Sequence, residues 1–586
     1  MKKAQRAIRD FEILAHQLKQ IEAIVKSTRD SNLWNHEASV RKKLKALKEL
    51  QYKDVREYNT VYNGYLLLLD EISRRLLNHY NKKNKTDYNF DEIVSGNKEA
   101  YRSSGLLSVL MTVHIPHMIA GEFSKYFPEN PKDEYSKARD LQRSFILHLG
   151  ETNTGKTYNA LERLKQAESG VYLAPLRILA LENYEKLNKE GVPCNLITGE
   201  EEIRVDNARH VCSTVEKLDA NEIYDVAVID EIQMIGNSQR GKAWTKAVLG
   251  LRCAEIHVCG AANAKDLLLE IINDCGDFYD IIEYRRQTPL EVYEAPFSFG
   301  KIQNGDALVA FSKKRVLELS KYFLDRGVRN SVIYGDLPPE VRRMQYKTFL
   351  DGTSKLLITT DAIGMGVNLP IRRIIFMDLQ KFDGDDIRYL TSQEVKQIGG
   401  RAGRKGIYEI GYVCSADGDV NFIRDNLETE DEPITKAVIG PSELITNITG
   451  LPLREKLALW STREEKLDYY RKMDVRDFLI ILDSIKHFKL PEAVEYKLMT
   501  LPFDVNDAEV MQCFLKFVEE YFRTNRGHIT PPELAGGSLS EMERYYQKIN
   551  LFYSFSRNFN IDFEPEWVYS ERMRVSKRIN GLLLRL

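Results

Sequence analysis

Cysteine is scarce in this chain: there are 7 in 586 residues, with no CxxC pair among them. That excludes a disulfide framework and a structural zinc site, and it fits a reducing compartment where thiols serve as small core residues. An excess of charge of one sign is also missing. The 84 basic and 86 acidic side chains leave a formal net charge of -2, so any nucleic-acid surface has to be local. No apolar run approaches the roughly 20 residues a spanning helix needs, which excludes helical membrane passage. The opening MKKAQRAIRDFEILAHQL lacks the uninterrupted apolar centre of a secretory signal. Arg9 stands beside Asp10 and Glu12, whereas a mitochondrial presequence is poor in acids, so the expectation is a cytoplasmic protein of bacterial type, ahead of a processed matrix protein. Internal repeats and low-complexity tracts are absent as well.

What is present is ample core material: 43% of residues are apolar, in a chain long enough for three or four domains. From Ile8 onward, Phe11, Leu14, Leu18, Ile21 and Val25 recur at the helical period, and residues 1–139 read as a helical domain. The run YFPENPKDEYSKARD then concentrates Pro, Asn and charge and reads as a linker. Beyond it, FILHL, GVYLAP, HVCST, VAVID and EIHVCG, and later ALVAFS, NSVIYG, KLLITT, RRIIFMDL and IGYVC, alternate with helical stretches. Such alternation predicts α/β architecture with parallel sheets. The segment from Arg286 to Gly305 carries no nucleotide motif and separates two such groups, giving domains over 140–288 and 289–434. Residues 435–586 return to a helical pattern.

The chemistry begins with GETNTGKT, Gly150 to Thr157, between a predicted strand and a predicted helix. Gly150, Gly155, Lys156 and Thr157 fit G-x-x-x-x-G-K-[ST], a loop whose backbone amides hold phosphate oxygens, whose Lys reaches the outer phosphates and whose Thr binds Mg²⁺. The strand in YDVAVIDEIQMI ends in two adjacent carboxylates, where an α/β sheet presents its reactive edge. Asp230 there would hold Mg²⁺ and Glu231 would activate the attacking water. In QIGGRAGR, Arg401 and Arg404 are three residues apart, as if on one helix face, and could reach across to a γ-phosphate. Taken alone, the same run could equally be a basic helix start that grips a phosphate backbone or an acidic surface.

The boxes GETNTGKT, APLRILA, CSTVE, VIDEIQ, CGAAN, FSKK, VIYGDLPPE, TTDAIGMGVN and QIGGRAGR follow the order found in superfamily-two helicases and cover about half the chain. The spelling of DEIQMI, TGEEE and DAIGMGVNLPIRRIIF resembles the suppressor-of-Var (Suv) type, the ATP-dependent RNA helicase of the mitochondrial degradosome and its bacterial relatives. That resemblance implies two tandem RecA-like domains flanked by helical domains, with ATP and Mg²⁺ in the cleft and a nucleic-acid strand across the top. It further implies that the loop Gly150, Glu151, Thr152, Asn153, Thr154, Gly155, Lys156 and Thr157 binds the nucleotide. Asp361 and Gly364 would approach it from the second domain, Gln233 would couple neighbouring motifs, and Gln397 would orient the water. Arg177, Thr214, Ser312, Lys313 and Thr360 would contact the strand backbone, giving affinity without sequence preference. The third box departs from the common Ser-Ala-Thr wording as Gly260-Ala261-Ala262-Asn263, which puts the coupling of hydrolysis to unwinding in question. The implied partners are single-stranded or partly duplex RNA and a 3′-exonuclease, with RNA turnover as the setting. DNA as substrate, or an ATP-clamped RNA-binding scaffold for a nuclease, are the alternative readings; the oligomeric state is unspecified.

Four further features complete the reading. Asp383-Gly384 in LQKFDGDDIRYL predicts a hairpin that could split a duplex or be a plain surface turn. His114 and His117 form an HxxH interrupted by Pro116, which favours a non-metal role. The aromatics of YYQKINLFYSF read as core before base-stacking groups, and the final WVYSERMRVSKRINGLLLRL as an amphipathic helix packed on the body.

Overall fold

The computed structural model describes residues 2–50, 56–84, 88–95, 97–114, 123, 125–294, 297–365, 369–384, 386–404, 406–416, 418–448, 451–524 and 527–586. The HxxH therefore lies outside the described residues at His117. The chain divides into two compact units, Met1–Phe127 with Glu443–Glu464, and Pro128–Ser442 with Glu465–Leu586. The first is helical. Phe11, Leu14, Leu18, Ile21 and Val25 of its first helix, Lys2–Ser27, are all buried in one cluster with Tyr65, Leu69 and Ile72 of the Tyr58–Asn84 helix. The Tyr65 hydroxyl donates to the Leu14 carbonyl at 2.6 Å, so the aromatic fills the core while its polar end is satisfied.

In the second unit, short apolar runs form strands β1 (Ser144–Gly150), β2 (Gly170–Ala174), β3 (Cys194–Ile197), β4 (Glu202–Ile203), β5 (His210–Thr214), β6 (Ile223–Ile229), β7 (Arg252–Gly260) and β8 (Phe278–Tyr284). They make a sheet of order β4-β3-β5-β2-β6-β7-β1-β8, parallel except for the β3–β4 pair. A second sheet contains β9 (Leu290–Val292), β10 (Asp306–Val309), β11 (Asn330–Ile333), β12 (Leu356–Thr359), β13 (Arg373–Phe376) and, after a hairpin of β14 (Gln380–Phe382) and β15 (Ile387–Tyr389), β16 (Gly411–Ser415). Its order is β11-β12-β10-β13-β16-β9, parallel throughout. Two RecA-like α/β domains with parallel sheets and additional helical regions are the architecture of the molecule. Strands such as β2 and β12 are buried along their whole length, the signature of a sheet covered on both faces.

A buried Arg–Asp pair closes the N-terminal edge of each sheet. Arg143, just before β1, meets Asp277, just before β8, at 2.5 Å, and its guanidinium also donates to the carbonyls of Val248 and Leu251. Arg373 at the start of β13 meets Asp306 at the start of β10 at 2.6 Å. Buried ions need such partners, and these are placed at the end of each sheet opposite the nucleotide motifs.

Besides β3, β4 and β8, which were likewise not expected from the sequence, three three-residue strands had no legible signal. β9 is three residues long, and β17 (Ala437–Ile439) pairs in parallel with β18 (Tyr470–Lys472) inside the stretch read as helical. Three residues are too few to display a period of two. Near the end, helices Leu539–Asn558 and Pro565–Leu583 pack together, and Tyr545, Tyr546, Phe552, Tyr553 and Phe555 are buried, so the aromatic stripe is core.

Candidate functional site

The apolar β1 delivers the chain into a loop in which Gly150 and Gly155 take positive φ, at +147° and +86°. A Cβ on Gly150 would lie 2.0 Å from the Tyr284 carbonyl oxygen, so only glycine lets the loop leave the sheet here. Lys156 opens the helix Lys156–Lys165. Its ammonium folds back to donate to the Gly150 carbonyl at 2.9 Å, to the Glu151 carbonyl, and to Thr154 Oγ1 at 3.4 Å. Burial pushes its pKa down, while Glu231 and Asp230 oppose that shift.

At the C-terminal end of β6, Asp230 is 6% exposed. Its Oδ1 accepts from Thr157 Oγ at 2.9 Å, its Oδ2 accepts from the Tyr172 hydroxyl at 2.9 Å, and its carbonyl accepts from the Trp244 indole at 2.9 Å. Burial first, then the charge of Glu231, raises the Asp230 carboxyl to about 6. A divalent cation would remove that penalty, and Thr157 hydroxyl with Asp230 carboxylate is the hard-oxygen set Mg²⁺ prefers. Glu231 sits at φ +51°, in the left-handed region that a residue with a Cβ adopts at a cost of roughly 1 kcal/mol or more. Gln233 secures it by donating to its carboxylate, and the amide oxygen of Gln233 accepts from Ala261 N–H at 3.1 Å. Gln233 thus joins the DEIQ box to the Gly-Ala-Ala-Asn box.

From the second sheet, Arg401 comes within 3.9 Å of Glu231 and donates to the Gly364 carbonyl through Nε at 3.1 Å. Gln397 lies beside Gly364, where an added Cβ would sit 3.5 Å from its Cγ, and its buried amide nitrogen has no hydrogen-bond partner among the described residues. Such an orphaned donor fits a site that expects a polar ligand. One expectation is corrected: Arg401 and Arg404 are not on a helix face. The helix Ser392–Gly399 ends before them, because Gly399-Gly400 and Gly403 at φ +76° turn the chain out of the helix. That turn brings the Gly403 carbonyl to Asn153 Nδ2 at 3.2 Å, and a Cβ on Gly400 would strike Thr152 Oγ at 1.9 Å. The two loops touch only because glycines face the phosphate cradle.

Arg286 carried no sequence signal, since it falls in the stretch without a motif. Its N–H donates to the Glu151 carboxylate at 2.8 Å, and its guanidinium donates to the carbonyls of Thr288 and Gly400, each at 2.6 Å, and of Ala402. It clamps the loop that carries Arg401 against the one that carries Lys156.

The five residues expected on the strand all lie at C-terminal ends of strands. Thr214 ends β5, Ser312 caps the helix after β10 through Arg315 N–H at 3.2 Å, and Thr360 accepts from Ala362 N–H at 3.2 Å after β12. The two cations among them are engaged by carboxylates. Arg177 meets Glu200 at 2.5 Å, and Glu201 and Glu340 each at 3.1 Å, and also donates to the Tyr546 hydroxyl at 3.0 Å. Lys313 donates to Glu543 of the Leu539–Asn558 helix, which also accepts from the Tyr334 hydroxyl. Asp361 faces Lys381 of the hairpin rather than the loop of Lys156, at 2.8 Å.

Two family models match the chain: the DEXQ-box helicase domain of Suv3 over residues 131–284, and the helicase conserved C-terminal domain over residues 292–406. The DExH-box ATP-dependent RNA helicase DExH16, mitochondrial, of Arabidopsis thaliana is 36% identical over 465 residues, spanning 76% of this chain and 81% of that protein. The ATP-dependent RNA helicase SUV3L, mitochondrial, of Oryza sativa is 35% identical over 476 residues, and the chain spans 63% of its length. For the ATP-dependent RNA helicase SUPV3L1, mitochondrial, of Homo sapiens, 35% identity over 465 residues covers 74% of this chain and 59% of that protein. Among solved structures, Saccharomyces cerevisiae Dbp5 bound to RNA and ADP BeF3 is similar at 17% identity and a TM-score of 0.39, over 54% of this chain and 92% of that one. The cytoplasmic expectation is overturned here, because these relatives are named mitochondrial helicases. That expectation rested on Asp10 and Glu12, which speak against an acid-poor presequence but not against the matrix as the compartment, and scarce cysteine does not discriminate the two.

Proposed function

Because the chain belongs to the Suv3-type DEXQ-box helicases, we propose that it is an ATP-dependent RNA helicase that hydrolyses ATP between its two parallel-sheet domains. The observation that carries this reading is the approach of Arg401, from the second sheet, to within 3.9 Å of Glu231 on the first. In this reading Lys156 leaves the carbonyls of its own loop for the outer phosphates, and Glu231 takes a proton from the attacking water. Gln397 holds that water through its unpartnered amide, and Arg401 moves from the Gly364 carbonyl to the charge that develops on the γ-phosphoryl oxygens. Thr157 and Asp230 would hold Mg²⁺, which when bound would supply neutralisation of phosphate charge. Little covalent chemistry falls to the protein, so positioning and charge supply the rate.

The strand lies along the C-terminal strand ends at Thr214, Ser312 and Thr360, and alternate opening and closing of the cleft advances it. The relatives' names support RNA as the strand and the mitochondrion as the compartment. A 3′-exonuclease partner and a role in RNA turnover follow from the family resemblance alone.

Steady-state ATPase tests this with the full chain, alone and with single-stranded RNA or DNA of matched sequence, beside Lys156→Ala. Stimulation by RNA but little by DNA is expected, with turnover abolished in Lys156→Ala. Equal stimulation by DNA would transfer the reading to a DNA helicase. Stimulated hydrolysis with no separation of a partial duplex would leave an ATP-clamped scaffold, and hydrolysis indifferent to both strands would end the helicase reading.

A further inference from the structure

The hairpin between β13 and β16 is built as a lever. At its open end Phe382 and Ile387 are paired in register and stand 62% and 58% exposed, an apolar pair facing solvent. Asp383 and Asp386 close the turn, with Asp383 N–H donating to the Asp386 carbonyl at 2.9 Å. The base is ionic. Lys381 of β14 lies 2.8 Å from Asp361 and 2.8 Å from Glu394, while Arg388 of β15 grips both oxygens of Glu394, at 2.8 and 2.9 Å.

These two acids sit at the roots of the ATP site. Asp361 begins the short turn that ends at Gly364, whose carbonyl accepts from Arg401. Glu394 forms a capping box with Thr391 at the start of the Ser392–Gly399 helix, and Gln397 follows one turn later, on the same helix face. Burial works to raise the Glu394 carboxyl, yet its bonds to Arg388 and Lys381 hold it down to about 2. The Lys381, Glu394 and Arg388 side chains are 16%, 20% and 35% exposed, so these contacts are partly shielded from the screening that weakens surface pairs. A plain surface hairpin would have no reason to place two cations on carboxylates that anchor two separate nucleotide-facing elements.

We propose that Lys381 and Arg388 are positioning residues that couple the hairpin to ATP hydrolysis: a strand pressing on the Phe382–Ile387 end shifts the base, and Asp361 and Glu394 carry that shift to Arg401 and Gln397. This rests on the helicase reading above and adds to it the route by which the strand stimulates turnover. It also separates two roles the hairpin holds at once, opening a duplex at its tip and reporting strand contact at its base.

The test is steady-state ATPase of the full chain with and without a single-stranded oligouridylate, together with oligouridylate binding by fluorescence anisotropy and separation of a partial duplex. Lys381→Met and Arg388→Gln are each expected to lower the strand-stimulated kcat about tenfold while basal kcat, KM for ATP and oligouridylate affinity stay within roughly twofold. Lys381→Arg, which keeps the charge, restores stimulation. Phe382→Ala, which trims the end the strand presses on, lowers single-strand stimulation together with duplex separation, and intact stimulation in it overturns the proposed route. Full stimulation in both Lys381→Met and Arg388→Gln overturns the coupling and leaves the helicase reading standing. A parallel fall in basal and stimulated kcat also overturns it, since that is the signature of a generally damaged site. If the wild-type chain hydrolyses ATP but is not stimulated by oligouridylate, the helicase reading fails first and the coupling with it.

Discussion

Glu231 sits in a backbone conformation its side chain disfavours, held there by Gln233 at its carboxylate and, one residue earlier, by Trp244 at the Asp230 carbonyl. Strain maintained by surrounding bonds is what a positioned general base requires. Glu231→Gln is therefore expected to lower kcat by about a thousandfold, within the range ascribed to general-base catalysis, with ATP affinity largely retained. Equilibrium binding of a nucleotide analogue beside turnover measures both; near-normal turnover would remove Glu231 from this role. Arg286 makes a different prediction because its guanidinium bonds to backbone carbonyls only. Its planar fork matches three carbonyls, a geometry lysine cannot reproduce. Arg286→Lys and Arg286→Met are both expected to reduce kcat by about ten- to a hundredfold through misplacement of Arg401. KM for ATP should change little, and rescue by lysine would show that charge alone matters.

Beneath the phosphate cradle, β1, β7 and β8 are cross-linked by a chain of hydrogen bonds with a single consistent direction. Asn159 donates to the Tyr284 hydroxyl at 3.0 Å, Tyr284 to His148 Nδ1 at 2.9 Å, His148 Nε2 to His257 Nδ1 at 2.7 Å, and His257 Nε2 to Glu255 at 2.8 Å. With the tautomers assigned this way both imidazoles are neutral, and burial of each ring works against a second proton. Burial, then the neighbouring His257, pushes His148 down to about 4, from 6.5 in the unfolded chain. Between those values the unfolded chain binds more protons than the folded one. The stability is therefore intact above pH 6.5 and falls as pH drops toward 4, by a total on the order of 3 kcal/mol. Thermal melts across this window should show a smaller acid-induced drop for His148→Gln, whose amide keeps both hydrogen bonds without titrating. Equal slopes for the two proteins would count against the chain.

Across the second unit, Arg177 ties the first sheet domain to the second and to the C-terminal helices through Glu200, Glu201, Glu340 and Tyr546. The family pattern expects it on the strand backbone, whereas its geometry is that of a buried joint. The two roles separate cleanly. Loss of a phosphate contact lowers the salt dependence of strand binding by about one unit of slope with stability unchanged. Loss of a buried joint leaves carboxylates unpaired, which costs about 3–5 kcal/mol. We expect Arg177→Met to lower the melting temperature and leave the salt slope of oligouridylate binding unaltered; the reverse pattern would return Arg177 to the strand.

Local patterns settled the α/β class, ten strands read as apolar runs, the phosphate loop and the carboxylate pair, because an apolar run or a glycine at a forced turn is written in consecutive residues. The end of the helix before Arg401, the clamp by Arg286, the neutral histidine pair and the carboxylates around Arg177 and Lys381 came only from tertiary structure. Apart from the helix end, which the nearby glycines set, most of these join groups far apart in the chain, such as Arg286 with Gly400, Lys313 with Glu543, and Arg177 with Tyr546. Hydrogen bonds and ion pairs at that range depend on how the sheets and helices pack, and no local period encodes them.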